Sequence, residues 1–336
     1  MRTVRRLLTC VAAALAVSAL FTDVRAEASA FVFSYQGGPY FTNGFTVTTA
    51  VAADGPGRAL VGGRYTYAEG TGSFVIRSNG QSWGSGATLD GGGIDSTVTL
   101  TAVAHIGPND DWASGDYMDA SGVYYASFYH YDGTQWHSVS PPRGWGAASS
   151  ISGSGANDVW AANGYAAALH WDGTAWTTYP LSTSVRAILD LSPTNVWAVG
   201  HGIVHWNGTS WSAAAVTRHT FEAVSARSAF GVWAVGDAVY QYNGSRWRAM
   251  PTPAGLTGNE LRSVSFLRGA DIWTTDGATL YHWGGNSWTA RRVDSLVPGA
   301  SGLTLTALSG RPKTGELWAI GRGAGPFLLH RAPIYG

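Results

Sequence analysis

The stretch NVWAVGHGIVHWNGTSW, residues 195–211, recurs in varied form along most of the chain. Each copy opens with a Trp inside a short apolar run and closes with a second Trp shortly after a turn. The opening tryptophans are separated by 48, 37, 36, 40 and 45 residues. Such a period is typical of solenoids and propellers, and one step is long enough for a four-stranded blade. The opening residues are Trp112, Trp160, Trp197, Trp233, Trp273 and Trp318.

The composition favours an all-β protein. Of the 336 residues, 45% are hydrophobic and 12% charged, and 45 are Gly and 16 Trp, which together favour short strands, tight turns and aromatic contacts. No long apolar stripe with helical period follows residue 26, so helices should be few. We expect one propeller domain over residues 27–336.

Each unit divides into four predicted strands, a to d, in chain order. The Val-Trp-Ala-Val-Gly run is strand b, and an Asp-Gly or Asn-Gly pair separates strand c from strand d, which is a strong hairpin signal. Counting Leu60, where the opening Trp is missing, there are seven openings but six closing tryptophans. The segment Phe31 to Tyr35 could supply the missing strand and close a seven-bladed ring. The alternative is six blades with an irregular first unit.

Two positions of the repeat vary together. The residue two before each opening Trp is Asp, Asn, Glu or Gly, and the residue at the end of strand c is His in five of six units. The unit with Gly231 is the one in which Gln241 replaces the histidine. Because strand b starts where strand c ends, we expect side-chain hydrogen bonds between these positions. The pairs include Asp158 with His170 and Asp271 with His282.

The N-terminus resembles a secretory signal. Arginines precede an apolar run from Leu7 to Phe21, and Val24-Arg25-Ala26 fits a cleavage site, so residues 1–26 are predicted to be a signal peptide. Export could follow the general secretory or the twin-arginine route. Cleavage would remove Cys10, the single cysteine, and leave a net charge of about −3. The expected mature protein is extracellular, lacks disulfides, and is a poor partner for nucleic acid or anionic membranes.

The VWAVG and HWDGxxW repeats resemble the tryptophan-rich propeller repeats of secreted bacterial proteins. They are similar, more loosely, to the tectonin-type propeller lectins. The resemblance covers roughly residues 45–336. It implies a propeller fold and, through the lectins, a sugar ligand.

The candidate binding site lies on the face shared by the b-to-c and d-to-a loops. Two b-to-c loops are predicted to be enlarged, residues 62–74 and 115–126, and loops on a rigid scaffold tend to hold function. His201 and Asp237 follow two strands b on the same face and form a weak candidate acid/base pair. The predicted ligand-binding residues are Tyr65, Tyr67, Glu69, Asp116, Tyr117, Arg143, Trp145 and Arg322.

Three functions remain open from the sequence. The first is a carbohydrate-binding protein, because aromatic side chains stack on sugars and sparse polar groups fix hydroxyls. The second is a polysaccharide lyase or glycosidase, and the third is a protein-binding or inhibitory propeller. An enzyme is the less favoured class, since nucleophile and metal motifs are absent. No cofactor is expected, but a structural calcium ion held by Asp116, Asp237 and Asp276 remains open.

Overall fold

The computed structural model describes residues 32–39, 45–67, 70–89, 97–118, 124–215, 218–256 and 260–333. These residues form seven antiparallel sheets of four strands each. The one helical segment among them is a single 3₁₀ turn, Val293–Leu296. The prediction of an all-β, seven-bladed propeller is therefore confirmed, and the six-bladed alternative is wrong.

In each blade the strands are hydrogen-bonded in chain order from the inside outwards, except that the outermost strand of blade 7 comes from the N-terminus. Blade 1 consists of β2 (Phe45–Ala53), β3 (Ala59–Tyr67), β4 (Gly70–Ser78) and β5 (Trp83–Leu89). Blade 2 consists of β6 (Thr97–Gly107), β7 (Asp110–Met118), β8 (Tyr124–Tyr131) and β9 (Trp136–Val139). Blade 3 consists of β10 (Ser150–Gly155), β11 (Asp158–Ala162), β12 (Ala167–Trp171) and β13 (Trp176–Pro180).

The second half of the ring repeats this arrangement. Blade 4 consists of β14 (Val185–Ser192), β15 (Asn195–Gly200), β16 (Gly202–Trp206) and β17 (Trp211–Ala215). Blade 5 consists of β18 (Phe221–Ser228), β19 (Gly231–Gly236), β20 (Val239–Tyr242) and β21 (Trp247–Met250). Blade 6 consists of β22 (Ser263–Arg268), β23 (Asp271–Thr275), β24 (Thr279–Trp283) and β25 (Trp288–Arg292). Blade 7 consists of β26 (Thr304–Arg311), β27 (Glu316–Arg322), β28 (Pro326–Arg331) and β1 (Ser34–Gly37).

Strand β1 pairs antiparallel with β28, from Ser34 opposite His330 to Gly37 opposite Phe327. The predicted strand began at Phe31, which lies outside the described residues, and the observed strand ends two residues later than expected. The ring of Phe33, just before β1, meets Trp273 of blade 6 edge-on at 5.8 Å between centroids. In this way an N-terminal aromatic side chain packs where the other blades use a closing Trp.

The turns between strands c and d follow from their Asp-Gly and Asn-Gly sequences. Gly173 has a φ of +97°, a conformation that residues with a Cβ rarely adopt. The carboxylate of Asp172 accepts hydrogen bonds from the Thr174 hydroxyl and from the backbone N–H groups of Thr174 and Ala175. These bonds, led by the Thr174 hydroxyl, lower the pKa of Asp172 to about 2. The turn sequence therefore sets where strand d, and its closing Trp, begins.

Tryptophans fill the space between blades. Trp112 is fully buried and meets Trp176 of the next blade at 5.3 Å between centroids, with the rings at 79°. The same edge-on contact joins Trp160 to Trp211, at 5.2 Å and 83°. Edge-to-face geometry suits the ring quadrupoles. Contacts between the opening Trp of one blade and the closing Trp of the next thus link consecutive blades.

Strand a of each blade is the innermost strand and lines a central channel. Its small polar side chains also bond neighbouring blades: the hydroxyls of Ser152, Ser225 and Ser309 accept backbone N–H groups of Asp190, Phe266 and Ala53, respectively.

The two enlarged loops predicted from the sequence are mostly strand, and this part of the prediction is wrong. Strand β3 continues to Tyr67 and β4 resumes at Gly70, so residues 64–67 and 70–74 belong to a tall hairpin. In blade 2, β7 continues to Met118 and β8 begins at Tyr124. The physical reason is composition, because tyrosines and threonines in these segments favour a pleated strand over a loop.

Candidate functional site

The face formed by b-to-c and d-to-a connections carries an aromatic patch at blade 3. The ring of Trp145, in the loop between β9 and β10, is half-buried and meets the ring of Tyr165 at 6.5 Å and 77°. Tyr165, in the b-to-c turn of blade 3, is 57% exposed. Arg143 lies exposed two residues before Trp145. We call Arg143, Trp145, Asn163 and Tyr165 the blade 3 patch.

Two donors of the blade 3 patch have no hydrogen-bond partner among the described residues. They are Nε1 of Trp145 and Nδ2 of Asn163, and both atoms are inaccessible to solvent. The amide oxygen of Asn163 is used, since it accepts the backbone N–H of Tyr165 at 3.2 Å. Both donors are buried beneath the patch, so the groups that it presents to a ligand are the ring of Tyr165 and the side chain of Arg143. Tyr165 and Asn163 were missed from the sequence, because the short turn between β11 and β12 differs little from its equivalents.

Two of the other predicted residues, Tyr65 and Asp116, lie on the tall hairpins of blades 1 and 2. Tyr65 packs its ring over Gly72 and against the core between blades 7 and 1, which is a structural role. Asp116 lies on β7 and is half-buried. Tyr67 and Tyr117 lie near strand ends, and their side chains are outside the described part of the structure. Glu69 lies outside it altogether. Their binding roles stay predictions.

His201 and Asp237 each take a partner from the loop in front of their own blade. Nδ1 of His201 lies 3.2 Å from the hydroxyl of Ser184. Oδ1 of Asp237 lies 2.9 Å from Nδ1 of His219, and Oδ2 accepts the backbone N–H of Thr220. The carboxylate of Asp237 therefore orients His219. The acid/base role of Asp237 and His201 stays a prediction.

A ring of equivalent residues surrounds the channel on this face. In five blades the pairing of strand a with strand b is interrupted by a β-bulge. The bulged residue is Thr in three of these blades, and it is Arg186 in blade 4 and Glu222 in blade 5. Arg186 and Glu222 form an ion pair across these blades. Burial raises the pKa of Glu222, against the opposing effect of Arg186, and a hydrogen bond that protonated Glu222 donates to Glu260 raises it further. Arg322 is exposed at the end of β27.

Two of the three residues considered for a calcium ion, Asp237 and Asp276, already bind protein groups. Asp237 binds His219 as described, while Asp276 accepts the backbone N–H of Thr279 at 2.8 Å and the hydroxyl of Tyr281 at 3.0 Å. Asp116 lies on a different blade from both. The structure therefore gives no support to a calcium ion shared by these three residues.

A second polar cluster lies on the opposite face, between blades 1 and 2. Among the described residues, Asp54, His105 and Asp111 are the group whose potential metal-ligand atoms come within 4.8 Å of one another. The side chains of Asp54 and Asp111 are 2% and 1% exposed. Arg77 binds both carboxylates, and Nδ1 of His105 lies 2.7 Å from Asp111 and 3.2 Å from Asp54. Arg77 and the Nδ1 position of His105 already occupy the carboxylate oxygens, which argues against a metal at this place.

This cluster departs from the repeat, and that is the signal by which the sequence could have revealed it. Asp111 occupies the position before the opening Trp, where blades 3 to 7 have Val, Ile or Leu. Arg77 lies opposite Leu60, so this pair replaces the usual His and Trp of strands c and b. The hydrogen bond to Asp111 raises the pKa of His105, although burial opposes it.

The central channel contains a cavity of about 580 Å³ that reaches the same face as this cluster. Residues of strand a from all seven blades line it, together with Gly55 and Pro312 from two a-to-b turns. His105 lies on its wall. This cavity was not predicted as a site.

Solved structures with this fold cover nearly the whole chain. A structure of YCF48 bound to D1 peptide is 15% identical, with a TM-score of 0.61 over 90% of this chain and 97% of that one. YCF48 from Cyanidioschyzon merolae is 14% identical, with a TM-score of 0.59 over 88% and 99%. The WD40 propeller domain of Doa1 is 12% identical, with a TM-score of 0.61 over 88% and 97%. At such identities the likeness shows the fold alone.

Comparison of the sequence with known proteins assigns the chain to no family. No protein-family description matches the chain, and no curated protein matches it. Among the described residues, no helix is long and apolar enough to cross a bilayer.

Proposed function

We propose that this chain is a binding propeller that holds an extended segment of a partner protein on its b-to-c and d-to-a face. The observation that carries the proposal is the blade 3 patch, in which the exposed ring of Tyr165 meets half-buried Trp145, and exposed Arg143 lies two residues before Trp145 in the chain. An extended peptide offers backbone carbonyls as acceptors for the guanidinium of Arg143, and side chains that can pack on the aromatic rings. Aromatic and Arg side chains are also those most enriched at the energetic centres of protein interfaces.

The structural neighbours support a protein partner. One YCF48 structure contains a bound D1 peptide, and others of these neighbours are WD40 propellers. None of this assigns a particular partner to the chain.

The test is selection from a displayed library of random peptides, followed by affinity measurement on purified protein. Trp145→Ala and Tyr165→Ala should each weaken the selected peptides by at least about tenfold, as expected when an interface anchor is truncated. Phe230→Ala is the matched control, because Phe230 is 75% exposed on the opposite face. If both patch variants fold and bind the peptides as the parent does, the proposed surface is wrong.

A carbohydrate ligand is the second candidate, and the same patch is what favours it. The exposed ring of Tyr165 can stack on a sugar face, and the guanidinium of exposed Arg143 can donate hydrogen bonds to its hydroxyls. A glycan array probed with the parent and with Tyr165→Ala separates the two candidates. Binding of glycans but not of displayed peptides would favour the lectin. Release of reducing ends or unsaturated uronates from polysaccharides would instead reveal a lyase or glycosidase.

We also propose that the chain is exported after cleavage near Glu27. The support is the charged and apolar pattern of residues 1–26. Expression of the full chain in a bacterium, with intact mass measured on the culture medium and the cell fraction, tests it. A cell-retained product that keeps residues 1–26 would contradict the proposal.

A further inference from the structure

The ionisable side chains that line the cavity in the central channel are all basic. Its volume of about 580 Å³ lies in the range of small-molecule sites. The lining residues with ionisable side chains are His105 and Arg311, and the lining contains no carboxylate. The guanidinium of Arg311 is 3.4 Å from Glu316, which is itself fully buried behind the wall.

Serine hydroxyls provide further hydrogen-bond donors in the cavity. Ser152, Ser225 and Ser309 line the cavity, and each hydroxyl oxygen accepts a backbone N–H from the following blade. A hydroxyl whose oxygen is used in this way still has its hydrogen to donate. None of the three donates to another described residue, so their hydrogens are available to a molecule in the channel.

The orientation of His105 is fixed by the buried carboxylates. Its Nδ1 lies 2.7 Å from Oδ1 of Asp111 and 3.2 Å from Oδ1 of Asp54, so the Nδ1 position holds the proton in the neutral ring. Nε2, on the far side of the ring, has no partner among the described residues. The same contacts favour the doubly protonated imidazolium, in which Nε2 becomes a charged donor.

We propose that the central channel is a second ligand site that binds an organic anion through its carboxylate, which meets Nε2 of His105 on the channel wall. The carboxylate belongs either to a free small molecule or to a side chain of a partner protein. The buried carboxylates hold His105 in place, while Arg311 and the serine hydroxyls extend the donor surface around the channel. The site is separate from the blade 3 patch and does not rest on the proposed function.

The experiment uses two probes, citrate for a free anion and an acetylated, amidated Gly-Glu-Gly peptide for a side-chain carboxylate. Both are titrated into purified full-length propeller while the ¹⁵N resonances of its imidazoles are recorded. The expected result is a saturable shift of the His105 Nε2 resonance with at least one probe. The probe that binds more tightly identifies the source of the carboxylate.

His105→Gln should weaken that probe by roughly tenfold or more, since one charged hydrogen bond is lost. His137→Gln is the matched control: His137 forms a similar 2.7 Å pair with Asp132 but on the exposed surface, and its loss should leave affinity unchanged. The NMR measurement needs no variant, so a His105→Gln protein that failed to fold would still leave the proposal testable. No shift of the His105 resonance with either probe at millimolar concentration would overturn it, as would a folded His105→Gln protein with parental affinity.

Discussion

Nε2 of His170 lies 2.8 Å from Oδ1 of Asp158, and the ring of His170 also stacks on Trp160 at 4.3 Å between centroids. The carboxylate accepts a further bond from Nε1 of Trp160 at 3.2 Å. One side chain at the start of strand b thus fixes both a core Trp and the histidine that covers it. Histidines pair in the same way in four other blades, at 2.8 to 3.1 Å, through Asp110, Asn195, Asp271 and Glu316.

His170→Ala should lower the free energy of unfolding by about 1 to 3 kcal/mol, because the largely buried carboxylate of Asp158 loses a hydrogen-bond partner. Burial opposes ionisation of Asp158, and bonds from Ser154 and His170 outweigh it to lower its pKa. Urea denaturation followed by tryptophan fluorescence measures the change. Binding at the blade 3 patch should persist, since this pair lies on the opposite face.

His205→Ala is the matched comparison. Its partner is the neutral Asn195, at 2.9 Å, so the loss should be smaller than for His170→Ala. Equal losses would mean that ring packing, not the charged hydrogen bond, provides the stability.

The features inside one blade could be predicted because each repeat forms the same four-stranded unit, so equivalent positions can be compared. Comparison of units reveals that Asp158 and His170 vary together, and the Asp-Gly pairs fix the turns. Sequence alternation also locates strands b and c. These relationships need no knowledge of how the ring closes.

Side-chain contacts between different blades could not be predicted by comparing the repeats. Asp54, Arg77 and Asp111 meet across blades 1 and 2; the repeat marks Arg77 and Asp111 as departures at their positions, but it does not show that the three side chains meet. The blade 3 patch joins Trp145 to Tyr165 through two connections whose directions depend on the packed scaffold. The tall hairpins differ from the predicted loops because their tyrosines and threonines favour extended strands.

Asp111→Val should destabilise the fold by about 3 to 5 kcal/mol, because Arg77 and His105 lose a buried partner. Arg77→Met combined with Asp111→Val should be less destabilised than the sum of the two single changes, since the double variant leaves fewer unpaired charges. Urea denaturation of all four proteins gives the coupling energy. Strict additivity would show that Arg77 and Asp111 act independently.

Phe33→Ala should lower the free energy of unfolding by about 1 to 2 kcal/mol, through loss of partial burial and of the edge-on contact with Trp273. Val32 is 67% exposed one residue earlier, and Val32→Ala should change stability by less than about 0.5 kcal/mol. Thermal unfolding followed by circular dichroism compares the two. If Phe33→Ala is as stable as Val32→Ala, the aromatic contact at the seam contributes little.

The last prediction concerns a buried carboxyl pair between blades 3 and 4. Burial, together with the neighbouring charge of Asp158, raises the pKa of Asp190 to about 8 from an ordinary value of 3.8. The backbone N–H of Ser154 binds Oδ2 of Asp190 at 3.0 Å, while Oδ1 has no partner unless the carboxyl itself carries a proton to donate to Asp158. We therefore expect one proton to be shared by the two carboxyls at neutral pH.

Because the folded protein binds this proton more tightly than the unfolded chain, the associated stability is fully present below pH 3.8 and is lost as the pH rises towards about 8. Asp190→Asn supplies a permanent N–H donor to Asp158 and should remove that loss. The free energy of unfolding of the variant, relative to the parent, should therefore rise between pH 5 and about 8 and then level off. Urea denaturation at several pH values gives this difference, from which the titration of His105, common to both proteins, cancels. A difference that stays constant across the range would show that Asp190 is ionised in the folded protein.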